Sequence, residues 1–180
     1  PELIILKDLD NSINWIVYTQ QIDGSWDFLK LNLTDAKSDS SYPAATSSIF
    51  NYPADATNYI AYCFTPVEGY SAFGTYTGNG SSDGPFVYTG HRSRFLLIKA
   101  SSIAGEDWVV LDTLRELSNV QDAVLFPNLS SAEVSNSAYN TDILSNGFKL
   151  RGSNPRFNQN SATYIFASFA EHPFKTTRAR

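Results

Sequence analysis

The sequence is poor in the residues from which reactive centres are built. Its 180 residues include one cysteine, two histidines and no methionine. The single thiol, Cys63, excludes an internal disulfide bond and a zinc site made of several thiolates. Cys63 lies in the apolar run YIAYCF, which predicts a buried structural thiol.

Positive charge and long apolar segments are scarce as well. Thirteen basic and eighteen acidic residues give a formal net charge of -5, and the basic ending KTTRAR is short. Nucleic-acid binding needs a clustered basic face, and a membrane-spanning helix needs about 18 or more consecutive apolar residues. The sequence therefore predicts no nucleic-acid partner and no membrane insertion.

Aromatic residues, by contrast, make up 14% of the chain. Aromatic and β-branched residues favour pleated, half-buried strands. The apolar segments are short and are mostly bounded by Gly, Asn, Asp, Ser or Pro, which is typical of an all-β domain. The pattern predicts a β-sandwich or two packed antiparallel sheets. The triplet SNG at Ser145–Gly147 predicts a tight hairpin with Asn146 and Gly147 at its centre.

The chain repeats four short blocks in the same order. The offsets between the paired blocks are 92, 93, 96 and 105 residues, growing as loops acquire insertions. The pairs are PELIILK at 1–7 with SRFLLIK at 93–99, NWIVY at 14–18 with DWVVL at 107–111, LNLTDA at 31–36 with PNLSSA at 127–132, and NYIAYCF at 58–64 with TYIFASF at 163–169. The sequence therefore predicts a duplicated unit of about 90 residues.

Two copies are too few for an open array of repeats, which generally needs three or more. We expect them to pack face to face about a pseudo-twofold axis within a single β domain spanning 1–180. The first copy covers about 1–70 and the second about 73–180. The segment Phe73–Arg92 precedes the second copy and has no counterpart before Pro1. We therefore expect about 20 further residues of the first copy upstream, in a longer polypeptide of which this is a C-terminal part.

No motif in the sequence indicates catalysis. Neither His91 nor His172 is flanked by a nucleophile sequence such as G-x-S-x-G. Carboxylate pairs are too common among eighteen acidic residues to indicate glycoside hydrolysis. The triplets DGS at Asp23–Ser25 and SDG at Ser82–Gly84 offer oxygen ligands for Ca²⁺, but turn formation explains them better. We predict a protein with no catalytic residues, no metal site and no cofactor.

Five residues are candidates for ligand binding. The aromatic rings of Trp26, Tyr76 and Tyr88 are suited to stacking on sugar rings, although aromatic residues on strands more often belong to a core. Asn79 and Asp83 lie in TGNGSSDGP, the most loop-like stretch of the chain. We expect this loop or Trp26 to lie nearer the exposed surface than the core.

Three asparagines, Asn32, Asn79 and Asn128, match the N-glycosylation sequon. Asn32 and Asn128 occupy equivalent places in the two copies of the repeat. The duplication therefore explains these two more simply than a modification does.

Two stretches carry a resemblance to a known family. They are Tyr59–Gly90, which contains GTYTGNGSSDGP, and Thr163–Arg180, which ends in PFKTTRAR. The chain resembles, over essentially its whole length, a domain of unknown function that recurs near the C-termini of tailed-bacteriophage proteins, especially those of marine and cyanobacterial hosts. The resemblance implies a virion component, mostly of tail-fibre type, and no established site residues.

The expectation that follows is a non-enzymatic virion module, a tail-fibre or spike domain that attaches to the host surface. The alternative is a head-decoration or purely structural capsid or tail module, and a glycan-degrading enzyme ranks third. The expected partners are other virion subunits, in a homotrimer that hides strand edges and apolar patches, and a host-surface glycan. The expected location is the surface of the phage particle.

Overall fold

Antiparallel β-strands account for 40% of the residues that the structure describes and helix for 4%. The computed structural model describes residues 1–52 and 57–173. The prediction of an all-β protein with packed antiparallel sheets is confirmed. No helix among the described residues is long and apolar enough to cross a membrane.

The first sheet contains five strands in the spatial order β4-β3-β2-β1-β5. They are β1 at Leu3–Asp8, β2 at Ile16–Thr19, β3 at Asp27–Lys30, β4 at Ser38–Asp39 and β5 at Tyr59–Phe64. Strand β1 reads as the continuous apolar run LIIL because both of its faces are covered.

The remaining strands form two larger sheets and one two-stranded ribbon. They are β6 at Ser71–Thr77, β7 at Phe86–Tyr88, β8 at Ser93–Ala100, β9 at Val109–Asp112, β10 at Ala123–Val124, β11 at Val134–Ser135, β12 at Thr141–Leu144, β13 at Gly147–Leu150 and β14 at Thr163–Ala170. The second sheet has the order β6-β14-β8-β9, the third the order β12-β13-β7, and β10 pairs with β11. A 3₁₀ turn at Ser137–Tyr139 and one helical turn, α1 at Pro155–Asn158, complete the fold.

The strand registers of the first two sheets follow the offsets of the repeated blocks. In the first copy Ile5 lies opposite Val17, and in the second Leu97 lies opposite Val110. The same offsets, 92 on one strand and 93 on the other, hold for all four residue pairs of the β1–β2 and β8–β9 ladders. The β1–β5 ladder reappears as β8–β14 with the offset of 105 on its second strand. Three of the four repeated blocks therefore coincide with equivalent strands of the two sheets.

The core between the first two sheets is built from equivalent residues of the two copies, as a pseudo-twofold packing predicts. The pairs are Leu3 and Phe95, Val17 and Val110, and Phe64 and Phe169. An apolar cavity of about 310 Å³ in this core is also lined by matching residues, Ile5 from one sheet and Leu97 from the other.

The outer face of each sheet has a different cover. Tyr18, Trp26 and their neighbours on the first sheet pack beneath Tyr42 and Phe50. The outer face of the second sheet packs on the third sheet, which contributes Phe148 and its neighbours to a separate core cluster. The two copies have thus acquired unlike outer layers on a shared framework.

In both copies an asparagine side chain is hydrogen-bonded to the two residues that precede the second strand, β2 or β9. The Asn32 Oδ1 atom accepts a hydrogen bond from the Trp15 backbone N–H at 2.9 Å, and its Nδ2 donates to Asn14 Oδ1 at 2.8 Å. Asn128 makes the same two bonds, at 3.0 Å from the Trp108 N–H and at 2.6 Å to Asp107 Oδ1. The two sequons at equivalent positions are therefore accounted for by a repeated structural contact.

The hairpin of the third sheet forms where the SNG triplet predicts it, but its turn is shifted by one residue. Leu144 pairs with Gly147, so Ser145 and Asn146 form the two-residue turn. Gly147 is the first residue of β13, and a Cβ atom there would lie 2.1 Å from the Val87 carbonyl oxygen. The glycine is thus required by the close approach of β7.

One cation is fully buried in the second sheet. Lys99 has no exposed surface, and its Nζ donates to the Ala100 carbonyl at 2.8 Å. Burial lowers the pKa of Lys99 to about 8, although the carboxylates of Glu106, Asp107 and Asp35 favour its charged form. The folded protein therefore releases a proton in a pH range where the unfolded chain keeps it.

This difference predicts stability that rises with pH. Between pH 8 and the unfolded-state pKa of about 10.4, the unfolded chain binds more protons, so the free energy of unfolding increases by about 2 kcal/mol from pH 8 to 9.5. We expect urea denaturation to show this rise in the natural protein and its loss in Lys99→Met. Parallel curves for the two proteins would contradict it. Burial raises the pKa of Tyr18, Tyr76 and Tyr164, so tyrosine ionisation in the unfolded chain opposes the rise above about pH 9, and Lys99→Met measures that contribution alone.

Candidate functional site

A cleft of about 530 Å³ lies beside the ends of strands that belong to the second and third sheets. Its described lining consists of Glu68, Gly69, Tyr88, Gly90, His91, Arg92, Ser145 and His172. Tyr88 is the last residue of β7 and is 68% exposed. Gly90, with φ of +78°, turns the chain back from Tyr88 into β8. The cleft thus combines one exposed aromatic ring with polar groups from four chain segments.

His91 forms a buried side of this cleft. Its Nε2 lies 2.9 Å from the Ser168 hydroxyl, which in turn lies 2.7 Å from the Ser93 hydroxyl. The Thr89 hydroxyl donates to the His91 carbonyl at 2.6 Å and fixes the turn. Burial lowers the pKa of His91, so the ring is neutral at physiological pH. Its Nδ1 has no hydrogen-bond partner among the described residues.

The contact between His91 and Ser168 resembles part of a nucleophilic dyad, but the serine is too deeply buried to act as a nucleophile. Ser168 lies on β14 and has no exposed surface. A hydroxyl in that position does not meet a substrate, since nucleophilic attack requires direct access to the reacting carbon. The network therefore holds the His91 ring at the wall of the cleft.

Charged side chains frame the cleft. The Arg92 Nε donates to Glu171 at 2.6 Å, and one of its terminal nitrogens donates to the Ile143 carbonyl at 2.6 Å. These bonds fix the guanidinium group beside His91. The adjacent His172 is exposed.

A second polar cluster lies on the first sheet around Lys37. Carboxylate oxygens of Asp23, Asp27 and Asp39 lie within 4.8 Å of one another, a group able to hold a metal ion. The Lys37 Nζ lies among them, at 2.5 Å from Asp23, 2.9 Å from Asp27 and 2.8 Å from Asp39. The Lys37 ammonium group thus supplies a positive charge at the centre of the cluster.

The protonation of this cluster is set by opposing effects. Hydrogen bonds to Asp23, Asp39 and Asp27 raise the pKa of Lys37. The bond from Lys37 holds the pKa of Asp23 well below its usual range. Burial raises the pKa of Asp27, whose side chain has no exposed surface, while Lys37 opposes that shift. Asp27 therefore depends on Lys37 to remain ionised inside the protein.

Residues 1–173 match the family model of a domain of unknown function, DUF7483. The chain belongs to this family. No curated protein and no solved structure matches it. The resemblance to a domain of unknown function, stated from the sequence motifs, agrees with this assignment.

Two of the five ligand-binding candidates of this DUF7483 domain lie in its core. Trp26 is 4% exposed and stacks on Tyr18 at a ring-centroid distance of 5.5 Å. Tyr76 is 8% exposed, stacks on Tyr164, and donates its hydroxyl to the Phe157 carbonyl at 2.7 Å. The interpretation of these two as exposed stacking residues is therefore corrected, because neighbouring side chains of the core cover both rings.

Asn79 and Asp83 lie in an exposed loop, as expected, but outside the described lining of the cleft. The Asn79 side chain is used within its own loop, where it accepts from the Ser81 N–H at 3.0 Å and donates to the Asp83 carbonyl at 2.9 Å. The Asp83 carboxylate forms an exposed ion pair with Lys149 at 2.8 Å. Of the five candidates, Tyr88 is the one that lines the cleft.

Several features of the DUF7483 domain were missed by reading the sequence. Both histidines line one cleft although 81 positions separate His91 from His172. Ser168 reaches His91 from a strand 77 residues away. The spacing of Asp23, Ser25 and Asp27 was a usable signal for a polar cluster, but Lys37 and Asp39 enter it only through the pairing of β3 with β4.

Proposed function

We propose that this DUF7483 domain is a non-enzymatic bacteriophage virion module, a tail-fibre or spike domain that attaches the particle to a host-surface glycan. The observation that carries the proposal is the exposed Tyr88 ring at the rim of a cleft lined by polar groups. Carbohydrates are bound in this way, by stacking of a sugar face on an aromatic ring and by hydrogen bonds from its hydroxyl groups.

The polar lining supports this reading of the cleft. The exposed His172 lines the cleft and offers its imidazole nitrogens for hydrogen bonds with sugar hydroxyl groups. Glu68 and Ser145 add an acceptor and a hydroxyl to the lining. The resemblance to phage proteins supplies the biological setting, and the surface of the virion is the location that we propose.

A second candidate function is a head-decoration or purely structural module of the capsid or tail. Large apolar side chains on the surface favour it, because burying them against neighbouring subunits releases their hydration water. The most exposed aliphatic side chains are Leu117 at 78%, Ile49 at 63%, Leu9 at 61% and Leu114 at 59%. A homotrimer is the assembly that we propose for either function. Antibody labelling of the domain on intact particles distinguishes a distal position, suited to attachment, from a position between subunits.

Tyr88→Ala tests the attachment proposal directly. A glycan array first identifies a ligand for the natural domain, and the variant is then measured against that ligand. Removing the stacking ring should weaken binding by about tenfold or more, the effect of losing roughly 1.4 kcal/mol at an aromatic hot spot. Because Tyr88 is mostly exposed, the melting temperature should stay unchanged.

Leu114→Ala is the matched control, since it removes another exposed large side chain that does not line the cleft. We expect it to keep full affinity. Equal affinity of Tyr88→Ala and the natural domain would place the glycan site elsewhere. A domain that binds no glycan, on particles where it lies between subunits, would favour the structural function.

A further inference from the structure

The first sheet ends in a strand with an open edge. Among residues 1–52 and 57–173, β5 pairs with β1 on one side and with no strand on the other. Its sequence is apolar, yet Tyr62 is 45% exposed, Ile60 is 36% exposed, and Cys63 is exposed. The prediction of a buried thiol at Cys63 is therefore wrong, because no described strand covers this edge. A long, apolar, unpaired edge is a ready template for another strand.

Backbone groups of β5 point into this open edge. The Leu9 N–H donates to the Asn58 carbonyl at 2.8 Å, which places the even-numbered residues of β5 in the hydrogen-bonded pairs with β1. In an antiparallel ladder the intervening residues direct their N–H and C=O groups away from that partner. Ala61 and Cys63 are therefore among the residues of β5 whose backbone faces outward.

The second copy of the repeat shows the same edge in a covered state. Strand β14 is the counterpart of β5 and has the same register with its inner neighbour. On its outer side β14 pairs with β6, where Phe166 lies opposite Gly74 and Ser168 lies opposite Ala72. Phe166 is 5% exposed and Ser168 is fully buried. Their counterparts in the first copy are Ala61 and Cys63, both exposed.

We propose that an antiparallel strand from the polypeptide that precedes this sequence pairs with the open edge of β5. It would take the position that β6 occupies beside β14 in the second copy. The spacing within the second copy supports this source. Strand β6 ends at Thr77, 16 residues before β8 begins at Ser93, and the counterpart of Ser93 in the first copy is Pro1. The completing strand would therefore end about 16 residues ahead of Pro1 by the same spacing.

The residues that face each other between β6 and β14 also indicate the size of the side chains on the completing strand. A Cβ atom on Gly74 would lie 3.1 Å from the Phe166 ring, so glycine suits that position. The counterpart of Phe166 is Ala61, which leaves room for a side chain on the incoming strand. We expect an extended segment with a residue larger than glycine opposite Ala61 and a small residue opposite Cys63.

Amide hydrogen exchange of the natural longer chain and of residues 1–180 tests the proposal. In residues 1–180 the Ala61 and Cys63 amides should exchange about 100-fold faster than those of Phe166 and Ser168, because only the latter are hydrogen-bonded across a strand. In the longer chain the Ala61 and Cys63 amides should slow by about 100-fold. The Phe166 and Ser168 amides serve as the internal control and should not change. Alkylation of Cys63, the one thiol of the chain, should slow in parallel.

Each other outcome overturns the proposal in a different way. Fast exchange at Ala61 and Cys63 in a monomeric longer chain would show that the preceding residues leave the edge open. Slow exchange in residues 1–180 at every concentration would show that this chain closes the edge by itself. Protection that appears only with dimer formation, measured by sedimentation, would assign the edge to a second copy. A natural chain with no residues ahead of Pro1 would also overturn it.

Discussion

Trp108→Ala should lower the free energy of unfolding by about 3–5 kcal/mol, the cost of removing a large buried aromatic side chain from a core. Trp108 is 1% exposed and lies in the core between the two sheets. Its indole Nε1 donates to the Lys30 carbonyl at 2.9 Å, so the substitution also leaves that buried acceptor without its donor. Urea denaturation followed by circular dichroism measures the loss.

Trp15→Ala is the control that the duplication provides. Trp15 occupies the equivalent position of the first copy, and its backbone N–H makes the same bond to an asparagine. Its side chain is half-buried, however, so we expect a loss of about 1 kcal/mol. Equal losses for the two variants would mean that the two copies contribute alike to the core, against the packing described above.

The contrast between the two tryptophans illustrates what the sequence predicted. The repeated blocks predicted which strands of the two copies are equivalent, because equivalent strands repeat the same local order of apolar residues. Burial depends on what covers each face, and that is decided by distant segments. The NWIVY and DWVVL blocks are alike, yet Trp108 is buried and Trp15 only half-buried.

The dependence on distant segments also explains why the sequence predicted little of the candidate site. Tyr88 was predicted from its residue type, but the cleft around it is assembled from residues between Glu68 and His172 that no spacing connects. Trp26 and Tyr76 have the same residue chemistry as Tyr88 and lie in the core. Residue type thus identified plausible ligand contacts, and only the packing of three sheets separated the exposed ring from the buried ones.

Lys37→Met should lower the free energy of unfolding by about 3 kcal/mol, the lower end of the cost of stranding one member of a buried ion pair. Lys37 is the cation beside Asp27, whose side chain has no exposed surface and whose Oδ2 already lacks a partner. The Ser25 hydroxyl lies 2.5 Å from Asp23 Oδ1 and 3.2 Å from Asp27 Oδ1, and turning its one proton to Asp27 in the variant places the expected loss at the lower end. Thermal and urea unfolding at pH 7 measure it.

Two further variants show whether the loss arises from the stranded carboxylate. Adding Asp27→Asn to Lys37→Met removes the buried charge and should recover more than half of the lost stability, since an amide costs far less to bury than a carboxylate. Lys30→Met breaks the exposed Lys30–Asp35 ion pair at 2.7 Å on the neighbouring strand and should change stability by less than about 1 kcal/mol. If Lys37→Met costs no more than Lys30→Met, or if the double variant recovers nothing, then Asp27 does not depend on Lys37 and the cluster is a surface feature without structural consequence.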